Sequence, residues 1–163
     1  TIMFPQINNL SDAEYAVRSV KYPPKGIRGI AGATRANNFG REIDYVSTAD
    51  ENICVICQIE SVEACKNVKD IASTEGVDLL FIGPGDLSAD MGFIKNRSAL
   101  EVKNMATQVL RETKKCNKPC GIMVSNITEA KQMLKAGFSV VAVTTDLVLL
   151  RNAVDEIGQL AKK

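Results

Sequence analysis

Two carboxylates stand where a sequence of this type can do chemistry. Glu60 closes the stretch Gln58-Ile59-Glu60, and Asp86 lies within Phe81-Ile82-Gly83-Pro84-Gly85-Asp86-Leu87-Ser88. Each stretch follows an apolar run, Ile53-Cys54-Val55-Ile56-Cys57 in one case and Val77-Asp78-Leu79-Leu80 in the other. Each therefore puts a carboxylate at the C-terminal end of a strand in a βαβ pattern. That end is where parallel α/β folds bind ligands, because loops and helix N-termini converge there. Two oxygen ligands from neighbouring strand ends suit a hard divalent cation. Each carboxylate also has a plainer reading, Glu60 as a favourable charge at the start of the next helix and Asp86 as an N-cap.

Side chains on a strand alternate, so Cys54, Ile56, Gln58 and Glu60 share one face, which turns from apolar to polar towards its end. The glycines of Gly83-Pro84-Gly85-Asp86 allow close backbone approach while the proline stiffens the turn. Amides at Gly85 and Asp86 would then point into the mouth of the site and could hold a substrate carboxylate. Cys54-x-x-Cys57 looks like half a zinc site, but residues three apart on a strand face opposite ways. With no histidine in the chain, these cysteines read as small buried apolar residues.

Apolar runs alternate with helical periodicity along the whole chain. Strands are expected over Ile2 to Ile7, Ile53 to Ile59, Leu79 to Ile82, Cys120 to Val124 and Ser139 to Val143. Helices are expected towards Val20 with Ser11 or Asp12 as the cap, around Arg41 to Ala49, and from Ser61 to Ser73. Further helices are expected from Ser98 to Cys116, from Asn126 to Ala136 with Gly137 as stop, and from Asp146 onward. Apolar strands each followed by a helix imply an α/β fold with a parallel sheet covered by helices. An open doubly wound sheet and part of a (β/α)₈ barrel both satisfy this pattern. A complete barrel needs about 250 residues, so five units in 163 residues would be an incomplete one. A start without Met, inside an apparent strand, is what a segment with its front removed would show.

Composition narrows the function classes. Twenty basic and 19 acidic residues leave a net charge of +1, with no block of one sign to favour nucleic acid or a membrane surface. No apolar run approaches a membrane span, and Thr1-Ile2-Met3-Phe4 lacks the order of a signal peptide. Five cysteines, an odd number at irregular spacing, suggest free thiols in a reducing compartment, the cytoplasm by default.

Several ordered motifs together resemble the HpcH/HpaI aldolase family, the class II pyruvate aldolases. They are Tyr22-Pro23-Pro24-x-Gly26-x-Arg28-Gly29, Arg35-Ala36, Gln58-Ile59-Glu60, Glu75-Gly76-Val77-Asp78, Phe81-Ile82-Gly83-Pro84-x-Asp86-Leu87-Ser88, Met91-Gly92 and Val141-Ala142-Val143. The resemblance implies a (β/α)₈ TIM barrel of the phosphoenolpyruvate/pyruvate type, of which residues 1–163 would supply strands four to eight. It implies cleavage of a 2-keto-3-deoxy or 4-hydroxy-2-oxo acid to pyruvate and an aldehyde, with Mg²⁺, Mn²⁺ or Co²⁺ as cofactor. Glu60 and Asp86 would be metal ligands, Gln58 would contact the keto acid, the Gly85 and Asp86 amides would hold its carboxylate, and Met123 would line the pocket. The family is usually a homo-oligomer, trimer or hexamer, with its last helix exchanged between subunits.

Two positions depart from the family pattern, Gly85 for a usual Ala and Thr144 for a usual Gly. The family's catalytic His and a substrate-binding Arg come from earlier strands, so no catalytic acid–base residue is expected in this chain. A citryl- or malyl-thioester lyase, or a non-catalytic fragment binding metal or keto acid, would use a similar carboxylate pair.

Overall fold

The computed structural model describes residues 1–160 as a five-stranded parallel sheet covered by helices. The strands are β1 (Ile2–Phe4), β2 (Val55–Ile59), β3 (Leu79–Ile82), β4 (Cys120–Met123) and β5 (Val140–Ala142). The helices are α1 (Leu10–Val20), α2 (Tyr45–Asn52), α3 (Val62–Lys66), α4 (Val68–Ser73), α5 (Pro84–Asp90), α6 (Leu100–Lys115), α7 (Ile127–Ala136) and α8 (Asp146–Leu160). A 3₁₀ turn at Arg35–Gly40 precedes α2. Among the described residues no helix is long and apolar enough to cross a membrane.

Sheet order is β1-β2-β3-β4-β5, every pair parallel. The strand-order reversal that defines a doubly wound sheet does not occur among the described residues. Helices cover one face only. Val55, Cys57, Ile59, Leu80, Ile82, Cys120 and Ile122 meet Ala13, Ala16 and Val20 of α1, Val68 and Ile71 of α4, and Val109 and Leu110 of α6. The opposite face carries a separate apolar cluster of Ile56, Leu79 and Phe81, joined by Cys54 and Ala142, with no helix residue in it. Helices α1, α3, α4 and α6, which connect successive strands, contribute to the first cluster and not to the second, as crossovers of one hand in a sequentially ordered sheet require.

Register on that inner face is held by one glycine. Gly121 pairs with Phe81, and a Cβ there would sit 2.5 Å from the Phe81 ring. Only a residue without a side chain leaves room for the ring.

Element ends differ from the sequence expectations for local reasons. Helix α1 starts at least two residues early because the Asn9 side chain, rather than Ser11 or Asp12, caps it and accepts from the Asp12 amide. The helix expected from Ser61 to Ser73 is broken at Asn67, whose amide turns back to Glu63 and Ala64 and whose side chain donates to the Asn8 carbonyl. Strand β1 stops at Phe4, and beyond Pro5, which has no N–H to donate, Gln6 takes a left-handed backbone (φ +55°). Gly137 takes the left-handed conformation expected of it, at φ +98°.

The Tyr22-Pro23-Pro24-x-Gly26-x-Arg28 motif finishes α1. The amides of Ile27 and Arg28 donate to the carbonyls of Arg18 and Lys21, and a Cβ on Gly26 would lie 2.3 Å from the Lys21 carbonyl oxygen. Arg28 lies over the Tyr22 ring at 4.4 Å and donates to the Tyr45 hydroxyl at 3.0 Å, tying this turn to α2.

All five cysteines are free. Cys54 packs with the inner cluster and Cys57 with the helix-covered one, so their sulfurs face opposite ways and cannot share one ion. Burial pushes the Cys57 and Cys65 thiols up to about 11 and Cys120 up to about 12. An unfolded thiol ionises near 8.5. These buried groups thus contribute stability below that pH, and it is lost as pH rises towards 11. At pH 8, peptide mapping after brief iodoacetamide treatment should find label on half-buried Cys54 and Cys116 and little on Cys57, Cys65 or Cys120. The urea midpoint should fall between pH 8 and pH 10.5.

Candidate active site

Glu60 is only 4% exposed, at the first position beyond β2. It does not cap the helix that follows, because the Ser61 side chain does that by accepting from the Ala64 amide at 3.0 Å. Glu60 looks across the sheet instead. Its Oε1 accepts from the Gln6 backbone amide at 2.8 Å and from Gln6 Nε2 at 3.2 Å. A buried carboxylate needs such donors, since burial without them is costly.

On the other side of Glu60 is Gly83. The β2–β3 ladder runs through Ile59 and Ile82, and the Gly83 amide still donates to the Ile59 carbonyl at 3.3 Å. Continuing that register puts Glu60 beside Gly83. A Cβ at Gly83 would sit 2.6 Å from Glu60 Oε2 and 3.7 Å from Gln58 Nε2. The glycine is there for close approach.

Helix α5 starts at once, with Gly83 as N-cap and Pro84 in the first position. Asp86 is therefore not an N-cap but sits within the first turn, exposed, and Gly85 beside it is also exposed. Pro84 suits the first position because the N–H it lacks would have no helical partner. The α5 turn is fastened at its other end, where Asp90 Oδ2 accepts from the Val62 amide at 2.7 Å. Ser88 Oγ donates to the Gly85 carbonyl at 2.7 Å.

Of the residues that the sequence reading singles out, Gln58, Glu60, Gly85 and Asp86 all lie at the C-terminal ends of the adjacent strands β2 and β3. Met123 ends β4 on the inner face, 40% exposed. Among the described residues no protein donor reaches Glu60 Oε2, and no protein hydrogen bond or ion pair holds the Asp86 carboxylate or the Gln58 amide. Buried Glu60 and half-buried Gln58 thus keep hydrogen-bonding capacity for water or a ligand, while Asp86 is exposed. No cluster of three His, Cys, Asp or Glu side chains exists among the described residues. A cation at Glu60 and Asp86 would therefore complete its coordination with water or a ligand.

Thr144-Thr145-Asp146 serves as a helix start. Thr145 Oγ1 accepts from the Val148 amide and Asp146 Oδ1 from the Leu147 amide. Gln6 and Gly83 are absent from the site residues chosen by sequence. Gln6 lies 54 residues from Glu60 and just past its strand, so only the β1–β2 register, Phe4 beside Cys57, reveals the pair.

The chain matches the family model described as HpcH/HpaI aldolase/citrate lyase over residues 1–153. It belongs to that family. It is 41% identical over 159 residues to a 4-hydroxy-2-oxo-heptane-1,7-dioate aldolase of Escherichia coli, covering 97% of this chain and 61% of that protein. It is 39% identical over 161 residues to a 5-keto-4-deoxy-D-glucarate aldolase of Citrobacter koseri, covering 99% of this chain and 63% of that protein. Among solved structures, an HpcH/HpaI aldolase/citrate lyase family protein from Burkholderia cenocepacia J2315 superposes with a TM-score of 0.92 at 36% identity. That match covers 99% of this chain and 64% of the other. The chain thus spans about three fifths of the length of these relatives.

For this HpcH/HpaI family chain, Gly83→Ala should push the Glu60 carboxylate aside. Forcing a methyl group into such a contact typically costs about 1–3 kcal/mol. A fall in the urea midpoint of the Gly83→Ala variant, with none for Gly85→Ala, is the expected result, since a Cβ on Gly85 meets nothing within 4 Å.

Proposed function

We propose that this chain is part of a metal-dependent carbon–carbon lyase that cleaves a 2-keto-3-deoxy or 4-hydroxy-2-oxo acid to pyruvate and an aldehyde. The observation that carries this reading is the set of polar groups without protein partners at the β2 and β3 ends, in a chain about 40% identical to two keto-acid aldolases. Residues 1–163 would form the C-terminal portion of one (β/α)₈ barrel domain, supplying strands four to eight. The uninterrupted sheet order and the helix-free inner face support that placement.

Glu60 and Asp86 would hold a divalent ion, Mg²⁺, Mn²⁺ or Co²⁺. The fit is chemical: two hard carboxylate donors, one of them with an oxygen free of protein hydrogen bonds among the described residues. When bound, such an ion supplies Lewis-acid stabilisation of charge developing on the keto-acid oxygen. The chain's own groups do the rest of the positioning. Gln58 would donate to the keto acid, and the Gly85 and Asp86 amides, free of helical carbonyls in the first turn of α5, would receive its carboxylate. Met123 would cover the apolar part of the substrate. No residue of this chain is assigned the proton transfers, which would fall to the family's catalytic His.

A second reading, a citryl- or malyl-thioester lyase, is favoured by the second half of the family description. A requirement for coenzyme A separates the two. Five free cysteines favour the reducing cytoplasm as the place of action.

The full-length protein should release pyruvate from 4-hydroxy-2-oxo acids without coenzyme A, and a chelator should abolish turnover. Glu60→Gln and Asp86→Asn should each lower metal-dependent turnover by more than about 100-fold. Borohydride should trap no substrate on the protein; a lysine adduct, or full activity after metal removal, would sink the proposal.

Assembly follows from α8. Leu147, Leu150, Val154, Ile157 and Leu160 form one stripe on that helix and are all exposed. We propose that the stripe is covered by a second copy in a trimer or hexamer. Leu150→Glu combined with Ile157→Glu should lower the molar mass measured by light scattering.

A further inference from the structure

We propose that Gln6 is a positioning residue that turns the Glu60 carboxylate so that Oε2, and not Oε1, is the oxygen offered to a divalent cation. This rests on the reading of Glu60 as a metal ligand given above. Gln6 lies just past β1, with a left-handed backbone (φ +55°) that only a few per cent of residues other than glycine adopt. That conformation brings its backbone amide to 2.8 Å and its side-chain Nε2 to 3.2 Å from the same oxygen, Glu60 Oε1.

Two N–H donors on one oxygen have two effects. They occupy its lone pairs, and their positive hydrogens make that side of the carboxylate unfavourable for a cation. The other oxygen receives no protein donor among the described residues. Strand β2 lies between β1 and β3, so Oε1 faces β1 while Oε2 faces Gly83 at the end of β3. The same turn that begins at Gly83 carries Asp86. Gln6 therefore aims the free oxygen towards the strand end that bears the second carboxylate. The missing Cβ at Gly83 leaves it room, since a methyl group there would lie 2.6 Å away. Hydrogen-bonded partners that orient metal ligands in this manner are typically worth about 10- to 100-fold in metal affinity.

The side-chain half of this device can be removed without disturbing the backbone half. Glycine accepts the left-handed conformation readily, so Gln6→Gly keeps the amide donor and removes the side chain that carries Nε2. Mn²⁺ binding to the full-length protein, read from the free-ion electron paramagnetic resonance signal, should weaken about tenfold in Gln6→Gly. Its urea midpoint should be unchanged or higher. Gln6→Asn, whose shorter amide falls short of Oε1 and which also tolerates this backbone, should weaken Mn²⁺ binding similarly. Glu60→Gln should remove the binding. Wild-type Mn²⁺ affinity in both Gln6 variants, with binding lost in Glu60→Gln, would overturn the positioning role alone. Retention of Mn²⁺ by Glu60→Gln would overturn the role of Glu60 and this inference with it.

Discussion

Parallel pairing of β2 with β3 places Ile59 beside Ile82, and the ladder runs one hydrogen bond further, from the Gly83 amide to the Ile59 carbonyl. Glu60 and Gly83 are thereby forced side by side. Everything polar at this end of the sheet depends on that register. A slip of one residue would carry Gln58 and Glu60 to the helix-covered face, among Leu80, Ile82 and Ile122, where no donor awaits a carboxylate. The same slip would bring Ile59 onto the inner face. Apolar packing on both faces thus holds the register, and the carboxylate's position is a consequence of it.

Strand β1 adds the second constraint. Its ladder ends early, and the chain then turns so that Gln6 reaches Glu60 and Asn8 reaches Ser61 and Asn67. Three consecutive features after β2, the carboxylate, the cap of α3 and the break before α4, are thus fastened to one five-residue segment after β1. Asp90 at the end of α5 fastens the same region from the β3 side through the Val62 amide. The start of α3 is clamped from both neighbours. A site built from the ends of three strands keeps its geometry because these polar ties cross the sheet, where backbone pairing has already stopped.

Sequence alone was enough to read most of this architecture. Strand β3 lies where its apolar run places it, and the C-terminal end of α7 falls at Gly137, because these signals are local. The carboxylates were legible as strand-end residues for the same reason. Local signals failed where a distant partner decides. Asn9 competes successfully with Ser11 and Asp12 for the cap of α1. Asn67 interrupts a helical run because its side chain is needed at Asn8. Gln6 looked like a strand residue and serves as a donor to a group 54 positions away. Whether Glu60 caps the helix that follows could not be decided from spacing. It needed the observation that Ser61 already caps the helix.

A sheet with helices on one face only has to dispose of its other face. Here that face carries Cys54, Ile56, Leu79, Phe81 and Ala142, a narrow apolar band, and then turns polar at Gln58 and Glu60. Met3 on β1 and Met123 and Val140 towards β5 remain substantially exposed, while the central Ile56, Leu79 and Phe81 are buried. Burial thus falls off towards both edges of the sheet. That gradient is what curvature produces: the central side chains converge, and the edge ones await neighbours. The two edge strands also retain unpaired N–H and C=O groups, which a parallel sheet tolerates poorly when left open to water. In the barrel proposed above, closure with further strands would satisfy the backbone and the inner side chains at once. It would also surround Glu60 and Asp86, raising the strength of every charge interaction at the site by excluding water from it.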